Sequence, residues 1–174
     1  TLNELKAMKI GISMISGDND NDKKELTPIF GYDSELYFKQ SPDNKLQYIY
    51  NKQKGHKVAM IGDGLNDAAA LRAADLGVVV TNDTNNFTPA SDVIFAGKNF
   101  KQLSNFFAFG RAIQKALYGS FVLAIIYNII GLYFAVTGQL SPVFAAILMP
   151  LSSMTVVAYY LISTSFLERK WLMK

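Results

Sequence analysis

The sequence contains no cysteine, which excludes a disulfide framework, a cysteine zinc cluster and a thiol nucleophile within these 174 residues. It has one histidine, His56, which precedes an apolar run and receives no functional role. Charge is also missing over a long stretch, because the 52 consecutive positions 116–167 hold no Asp, Glu, Lys, Arg or His. One membrane-spanning helix needs only about 20 apolar residues, so this stretch predicts two spans joined by a short turn.

The charged part of the chain precedes this stretch and is nearly neutral. Residues 1–115 carry 14 Lys or Arg and 13 Asp or Glu, so no basic face indicates a nucleic-acid partner. Basic residues also follow the uncharged stretch, whereas the turn within it carries none. The positive-inside rule therefore places both ends of the segment in the cytoplasm, and we expect an integral membrane protein.

Composition and helix-breaking residues divide the chain into six segments. Gly138 and Pro142 mark the break inside the uncharged stretch, as is typical of a turn between helices. The expected segments are a cytoplasmic α/β domain over 1–97, an amphipathic connector over 98–115, a membrane helix over 116–137, an extracytoplasmic turn over 138–142, a second membrane helix over 143–167 and a cytoplasmic tail over 168–174.

The soluble part alternates helical and strand patterns. Residues 2–8 have helical spacing of apolar positions, and the run ISMIS that follows reads as a strand ending at Gly17. The polar patch at 18–24 indicates a solvated loop or a helix entry. An amphipathic helix over 43–54 then leads into the buried-strand run KVAMIG, a short helix and two more strands. This alternation predicts an α/β domain with a parallel sheet.

Two Gly-Asp pairs follow predicted strands, where ligands gather in such sheets. They are Ser16-Gly17-Asp18 and Gly62-Asp63-Gly64, and Lys45 opens the helix between them. Glycines and a helix start suit an anion such as phosphate, whereas a carboxylate beside the anion needs a cation. Magnesium resolves this conflict, because it binds through one or two carboxylates together with phosphate oxygens.

Together these residues resemble the P-type ATPases, whose phosphorylation domain has a haloacid-dehalogenase-like, Rossmann-like fold. Residues 16–18 are similar to the family's TGD motif with Ser in place of Thr, Pro42 to Lys45 match its PxxK element, and Gly62 to Asp67 match GDGxND. The resemblance implies that Lys45 contacts the transferred phosphoryl group and that Ser16 and Gly17 hold its oxygens. Asp18 would orient the nucleotide side of the site.

The resemblance also assigns the GDGxND segment. Asp63 would coordinate Mg²⁺, and Asp67 would support the site from beside it. Gly62, Gly64 and Asn66 would belong to the loop around the phosphate or nucleotide, with ATP as the phosphoryl donor. The DKTGT motif that carries the family's nucleophilic aspartate is absent from the sequence, and Ala69 stands where a proline is usual. We therefore expect a C-terminal fragment of a longer chain that is inactive alone.

The uncharged helices resemble those of the copper(I) pumps. Tyr127-Asn128 is similar to their YN motif, and Met149, Ser152 and Ser153 match MxxSS. Spacings of three and four residues share a helix face, and the Met149 thioether is a soft ligand suited to Cu⁺. The same residues also suit simple helix packing. The resemblance favours these five as contacts for transported copper.

The resemblance leads to the interpretation of a fragment of an ATP-driven copper(I) pump with an aspartyl-phosphate intermediate, expected in a bacterial plasma membrane. The fragment would consist of a partial phosphorylation domain, with residues 1–97 as its C-terminal part, followed by a two-helix transmembrane hairpin. Its expected partners are the lipid bilayer, the N-terminal part of the same chain and a copper chaperone. A zinc, cadmium or cobalt pump of the same superfamily is one alternative. A membrane-anchored haloacid-dehalogenase-like protein without catalysis is another, because the nucleophile is absent.

Overall fold

The computed structural model describes residues 1–64, 66–82 and 91–172. It divides into two compact units, Thr1–Leu103 and Ser104–Lys174. Leu65, the variable position of GDGxND, and residues 173 and 174 of the predicted tail lie outside the described residues.

The first unit alternates short helices and short strands. In chain order, the elements are α1 (Leu2–Ala7), β1 (Ser13–Ile15), α2 (Lys23–Phe30), β2 (Glu35–Tyr37), α3 (Pro42–Gln53), β3 (Ala59–Gly62), α4 (Ala68–Ala73), β4 (Leu76–Thr81) and β5 (Val93–Ala96). A 3-10 turn over Asp20–Asp22 leads directly into α2, so the polar patch is a helix entry. Neither α2 nor β2 was predicted, because their segments are short and lack clear apolar periodicity.

All strand pairs in the described residues are parallel, as the sequence pattern predicts, but the strands form two sheets. β1 pairs with β2, with Ser13 opposite Glu35. The second sheet has the order β3-β4-β5, with Ile61 opposite Val78 and Val78 opposite Val93. Each sheet thus presents the carboxyl ends of its strands at one edge, which is where the two Gly-Asp motifs begin.

The core of the first unit lies on the second sheet. Leu71 on α4 and Val78 and Val79 on β4 are almost fully buried, and Ile49 from α3 joins this core. Complete burial of such a side chain stabilises the fold by about 1.5–3 kcal/mol. β-Branched residues suit the pleated strand β4, and the Ala-rich sequence of α4 favours a helix that packs closely on it.

The second unit is an apolar helical hairpin. α5 runs over Leu103–Val136 and α6 over Pro142–Trp171. At a rise of about 1.5 Å per residue, helices of 34 and 30 residues exceed the ~30 Å hydrocarbon core of a bilayer. Both are long and apolar enough to cross a membrane. α5 is continuous through most of the predicted connector and the whole first span except its last residue.

The turn of the hairpin has local causes in the sequence. Gly138 adopts a φ of 68°, a conformation that side chains with a Cβ rarely take. The Ser141 hydroxyl then caps α6 by accepting a hydrogen bond from the Phe144 N–H at 3.2 Å, and Pro142 occupies the first helical position. Gly138 thus lies in the turn, as the sequence analysis expects, whereas Pro142, which the sequence analysis assigned to the turn, is the first residue of α6.

Candidate functional site

The centre of the candidate site is an ion pair between two of the predicted motifs. Lys45 Nζ lies 2.6 Å from Asp67 Oδ1, and the two side chains are only 11% and 13% exposed. Lys45 belongs to the PxxK element and Asp67 to GDGxND, 22 positions later. The fold thus joins two motifs that the sequence could only relate through a family pattern.

Local structure explains where each partner sits. Ser41 precedes α3, and its hydroxyl accepts a hydrogen bond from the Asn44 N–H at 3.2 Å, while Pro42 opens the helix. This cap fixes the first turn of α3, from which Lys45 extends. Asp67 is the residue immediately before α4, and its carbonyl accepts the Leu71 N–H at 2.8 Å. Helix starts therefore place both members of the pair.

The glycines of GDGxND make room for this pair. A Cβ added to Gly62 would lie 2.9 Å from Asp67 Oδ2, a distance that real Cβ atoms essentially never show. Gly64 is buried and has a φ of 85°, which disfavours any residue with a side chain. Asp63 and Asn66 are exposed beside them. The loop thus keeps Asp67 against the main chain and turns Asp63 outward.

The motif at 16–18 forms a compact turn of its own. The Ser16 hydroxyl donates to Asp18 Oδ2 at 2.8 Å and accepts the Asp18 N–H at 3.1 Å. The Ser16 N–H donates to the Tyr37 carbonyl at 2.8 Å, which continues the pairing of β1 with β2. A Cβ on Gly17 would meet the Gln40 carbonyl oxygen at 3.4 Å. These contacts join the three residues to one another, to the end of β2 and to the chain that follows it.

Two residues that sequence reasoning missed hold that turn. The Lys39 N–H donates to the Asp18 carbonyl, and the Gln40 N–H donates to the Ser16 carbonyl, both at 2.9 Å. Main-chain donors leave no signature in the sequence, so no residue pattern could have identified them. Lys39 also pairs with Asp20 at 3.0 Å, and hydrogen bonding by Lys39 lowers the pKa of the Asp20 carboxyl.

A third residue that sequence reasoning missed, Asp75, connects the amino-terminal ends of β3 and β4 by hydrogen bonds. Its carboxylate accepts hydrogen bonds from Lys57 Nζ at 2.6 Å, the Val58 N–H at 3.0 Å and Gln53 Nε2 at 3.3 Å. These donors, led by Lys57, lower the pKa of Asp75 to about 2. The cluster lies at the amino ends of the strands, opposite the edge that carries the Gly-Asp motifs, and we assign it to stability.

A polar cluster also flanks β2. Glu35 accepts hydrogen bonds from the Tyr48 hydroxyl and, at 2.8 Å, from Lys52 Nζ. The Lys52 and Tyr48 hydrogen bonds lower the pKa of Glu35, and burial together with Glu35 raises the pKa of Tyr48. These contacts fasten α3 to β2 and so help to fix the helix that presents Lys45.

The five residues predicted to contact transported metal lie on the hairpin. Tyr127 faces α6, with its hydroxyl 3.4 Å from Thr155 Oγ1, whereas Asn128 is exposed. Met149 is 74% exposed, and the hydroxyls of Ser152 and Ser153 donate to its carbonyl at 2.8 and 3.3 Å.

Contacts between α5 and α6 show at which height along the hairpin these residues lie. A Cβ on Gly131 would lie 3.5 Å from Leu148 Cδ2, and Tyr127 reaches Thr155 one turn further along. Antiparallel packing therefore puts the five at one level of the hairpin. They do not share one face, because Tyr127 lies toward the other helix while the Met149 side chain projects outward.

Comparison with known proteins finds similarity to the two groups that the motifs indicate, haloacid dehalogenase-like hydrolases and P-type ATPases. Residues 1–75 match the family model described as haloacid dehalogenase-like hydrolase. A probable copper-importing P-type ATPase A from Enterococcus hirae is 32% identical over 158 residues, which cover 90% of this chain and 22% of that protein. A copper-exporting P-type ATPase from Staphylococcus aureus strain JH9 is 31% identical over 156 residues, covering 90% of this chain and 20% of its own length.

Solved structures agree on the fold. A zinc-transporting PIB-type ATPase aligns over 94% of this chain and 27% of its own with a TM-score of 0.83, and its 22% identity shows the fold alone. The catalytic CPx-ATPase domain CopB-B is 37% identical, with a TM-score of 0.53 over 60% of this chain and 42% of that domain. The chain spans about a fifth of the length of the curated relatives it matches. With its haloacid-dehalogenase-like unit followed by an apolar helical hairpin, the chain belongs to the heavy-metal P-type ATPases.

Proposed function

We propose that this chain is a segment of an ATP-driven pump that moves copper(I) across a membrane through an aspartyl-phosphate intermediate. The observation that carries the proposal is the Lys45–Asp67 ion pair, which is mostly buried and lies at the carboxyl end of β3. A fixed cation held there by a carboxylate suits phosphoryl transfer, which depends on positioning and on neutralising charge at the phosphoryl oxygens.

In this proposal, each motif has a separate task. Lys45 places its ammonium against the transferred phosphoryl group, and Asp67 holds that ammonium in position. Ser16 and Gly17 supply donors to the phosphoryl oxygens, while Asp18 orients the nucleotide side. Ser16 now donates to Asp18, so its hydroxyl must rotate to reach a phosphate.

The acidic residues suit magnesium better than a cation that needs a cage of protein ligands. Asp63 is exposed at the end of β3 and offers hard oxygen ligands, while Asp67 lies nearby in the same loop. Across residues 1–64, 66–82 and 91–172, no cluster of three or more acidic or histidine side chains forms a fuller metal site. Mg²⁺ usually binds through one or two carboxylates and keeps several waters. When bound, it would neutralise charge on the phosphates of ATP, with Asp63 as its ligand.

The edges of the two sheets that are unpaired among the described residues suggest that another segment of the same polypeptide adds a strand between them and supplies the phosphoryl acceptor. Within residues 1–64, 66–82 and 91–172, β1 pairs with β2 alone, and β3 pairs with β4 on one side and with no strand on the other. A parallel strand placed between β1 and β3 would join the two sheets. An aspartate at its carboxyl end would then lie beside Lys45 and act as the phosphoryl acceptor.

The hairpin would provide part of the metal route, with the lipid bilayer as its surroundings. Positions 116–167 carry no charged side chain, and Met149 is a soft donor projecting from α6. Copper(I) prefers such thioether ligands, while carboxylates suit harder ions. The two curated relatives described above are copper pumps, which favours the same ion. A copper chaperone would deliver the ion, and both ends of the segment would face the cytoplasm.

The full-length protein tests this proposal through phosphorylation by radiolabelled ATP. We expect Mg²⁺-dependent, acid-stable, hydroxylamine-sensitive labelling that Asp63→Ala abolishes and that Asp33→Ala, at an exposed loop position, retains. Turnover should rise with Cu⁺ under reducing conditions more than with Zn²⁺, Cd²⁺ or Co²⁺. Labelling that survives Asp63→Ala would remove that carboxylate from the site, and stimulation by Zn²⁺ alone would replace copper as the cargo.

A further inference from the structure

The segment between β2 and α3 contains a non-glycine residue in the left-handed region. Lys39 has a φ of 57°, a conformation in which the Cβ of an L-residue crowds its own main chain. Its side chain does little to compensate, because the pair with Asp20 is exposed at both ends and such pairs contribute little. The conformation must therefore be imposed by what the main chain does at this position.

The main chain at Lys39 and Gln40 is hydrogen-bonded to the turn over residues 16–18. The N–H groups of these two residues donate to the Asp18 and Ser16 carbonyls, both at 2.9 Å. Consecutive N–H groups can reach the two carbonyls that flank Gly17 only while the backbone bends at Lys39. The Gln40 carbonyl also lies so near Gly17 that a Cβ there would touch it at 3.4 Å.

The same short segment leads directly to the catalytic lysine. Ser41 caps α3, the Lys45 N–H donates to the Ser41 carbonyl at 3.0 Å, and the Lys45 ammonium reaches Asp67 at 2.6 Å. Residues 39–45 thus connect the turn over 16–18, the lysine and the GDGxND loop. A change of backbone angle at Lys39 would move the start of α3 relative to that turn.

We propose that Lys39 is a positioning residue for phosphate binding, acting through its left-handed backbone rather than through its charge. It sets the separation between the donors at Ser16 and Gly17 and the ammonium of Lys45. This inference rests on the proposed function, since it concerns the same phosphate site.

The chain offers a matched control for this idea. Lys9 is also a lysine with positive φ, 59°, but it lies two residues beyond α1, where its N–H donates to the Lys6 carbonyl at 2.8 Å. A β-branched residue is strongly disfavoured in the left-handed region, whereas glycine and asparagine enter it readily. The same substitutions at positions 39 and 9 therefore impose the same local strain, inside and outside the segment that holds the phosphate elements.

The experiment uses the full-length protein and orthovanadate as the phosphate analogue. We expect Lys39→Val to raise the vanadate concentration for half-inhibition about tenfold, because a left-handed conformation costs a β-branched residue a factor of about that size. Lys39→Gly and Lys39→Asn should restore wild-type inhibition although both remove the charge. Lys9→Val should lower the melting temperature to a similar extent and leave vanadate inhibition unchanged. The KM for ATP at the nucleotide side should change less than vanadate inhibition in every variant.

Several results would overturn the inference while leaving the proposed function intact. One is wild-type vanadate inhibition in Lys39→Val, and another is an equal loss in Lys39→Gly, which would point to the side chain instead. Equal effects of Lys39→Val and Lys9→Val would indicate general destabilisation. If Lys39→Val does not fold, Lys39→Thr and Lys9→Thr make the same comparison with a smaller polar side chain. A wild-type protein that forms no phosphoenzyme and ignores vanadate would overturn both proposals.

Discussion

The Lys45–Asp67 pair yields the sharpest prediction for the stability of the site. Lys45→Met keeps the length of the side chain and removes the cation, leaving the Asp67 carboxylate without its partner in a place only 13% exposed. Asp67→Asn makes the converse change, and the double variant removes both charges. A double-mutant cycle then isolates the interaction of the two side chains from the cost of each substitution.

The size of the effect follows from distance and burial. Hydrogen bonds to charged groups contribute about 1.5–3 kcal/mol, and limited solvent access places this 2.6 Å contact in the upper part of that range. We therefore expect a coupling free energy of about 2–3 kcal/mol. Loss of an interaction of this size corresponds to local opening of the surrounding elements that is about 30- to 150-fold more frequent, since 1.36 kcal/mol is a factor of ten.

Amide hydrogen exchange of α4 and β3, measured by mass spectrometry on the detergent-solubilised protein, reports this opening directly. Lys52→Met is the matched control, because Lys52 lies on the same helix and pairs with Glu35 at 2.8 Å but is far more exposed. It should leave exchange in α4 almost unchanged. Coupling near zero, or equal acceleration by Lys45→Met and Lys52→Met, would refute the claim that burial gives the Lys45–Asp67 pair its strength.

Three further predictions concern single positions. Gly62→Ala places a methyl 2.9 Å from the paired Asp67 carboxylate and should reduce phosphoenzyme formation about tenfold. Gly55→Ala, where a Cβ has nothing within 4 Å, should retain phosphoenzyme formation. Equal activities of the two variants would show that the loop adapts. The pKa of Asp75 is lowered from 3.8 to about 2, so its stabilisation is complete above pH 4 and disappears as the pH falls toward 2. Asp75→Asn should therefore flatten the acid unfolding curve by circular dichroism in that window, and an unchanged curve would contradict this assignment. Met149→Leu keeps the side-chain volume but removes the soft donor, so half-maximal stimulation of turnover should need about tenfold more Cu⁺. Met154→Leu should leave this Cu⁺ concentration unchanged. Matching responses of the two variants would assign Met149 to packing.

Several structural expectations drawn from local patterns are confirmed. The run LGVVVT forms β4 over the same six residues, because β-branched residues favour strands and a continuous apolar run suits a strand buried in a parallel sheet. The break predicted at Gly138 and Pro142 separates α5 from α6, since the conformational freedom of glycine and the fixed φ of proline act within a few residues. Two long apolar helices follow from the absence of charge over 116–167.

Other features depend on how distant parts of the chain meet, and these only the tertiary structure decided. The sequence placed Lys45 and Asp67 in separate motifs, whereas packing of α3 beside α4 brought them to 2.6 Å in a site from which water is largely excluded. It gave no indication that Lys39 would be left-handed or that its N–H would hold Asp18, because main-chain hydrogen bonds depend on geometry and carry no residue signature. Helical spacing related Met149 to its serines, yet the two hydroxyls bond to the helix's own carbonyl while the thioether projects outward. Periodicity and capping are local interactions, so the sequence alone determines them. Burial, contact and backbone strain arise from the whole fold, and they set how the motifs meet.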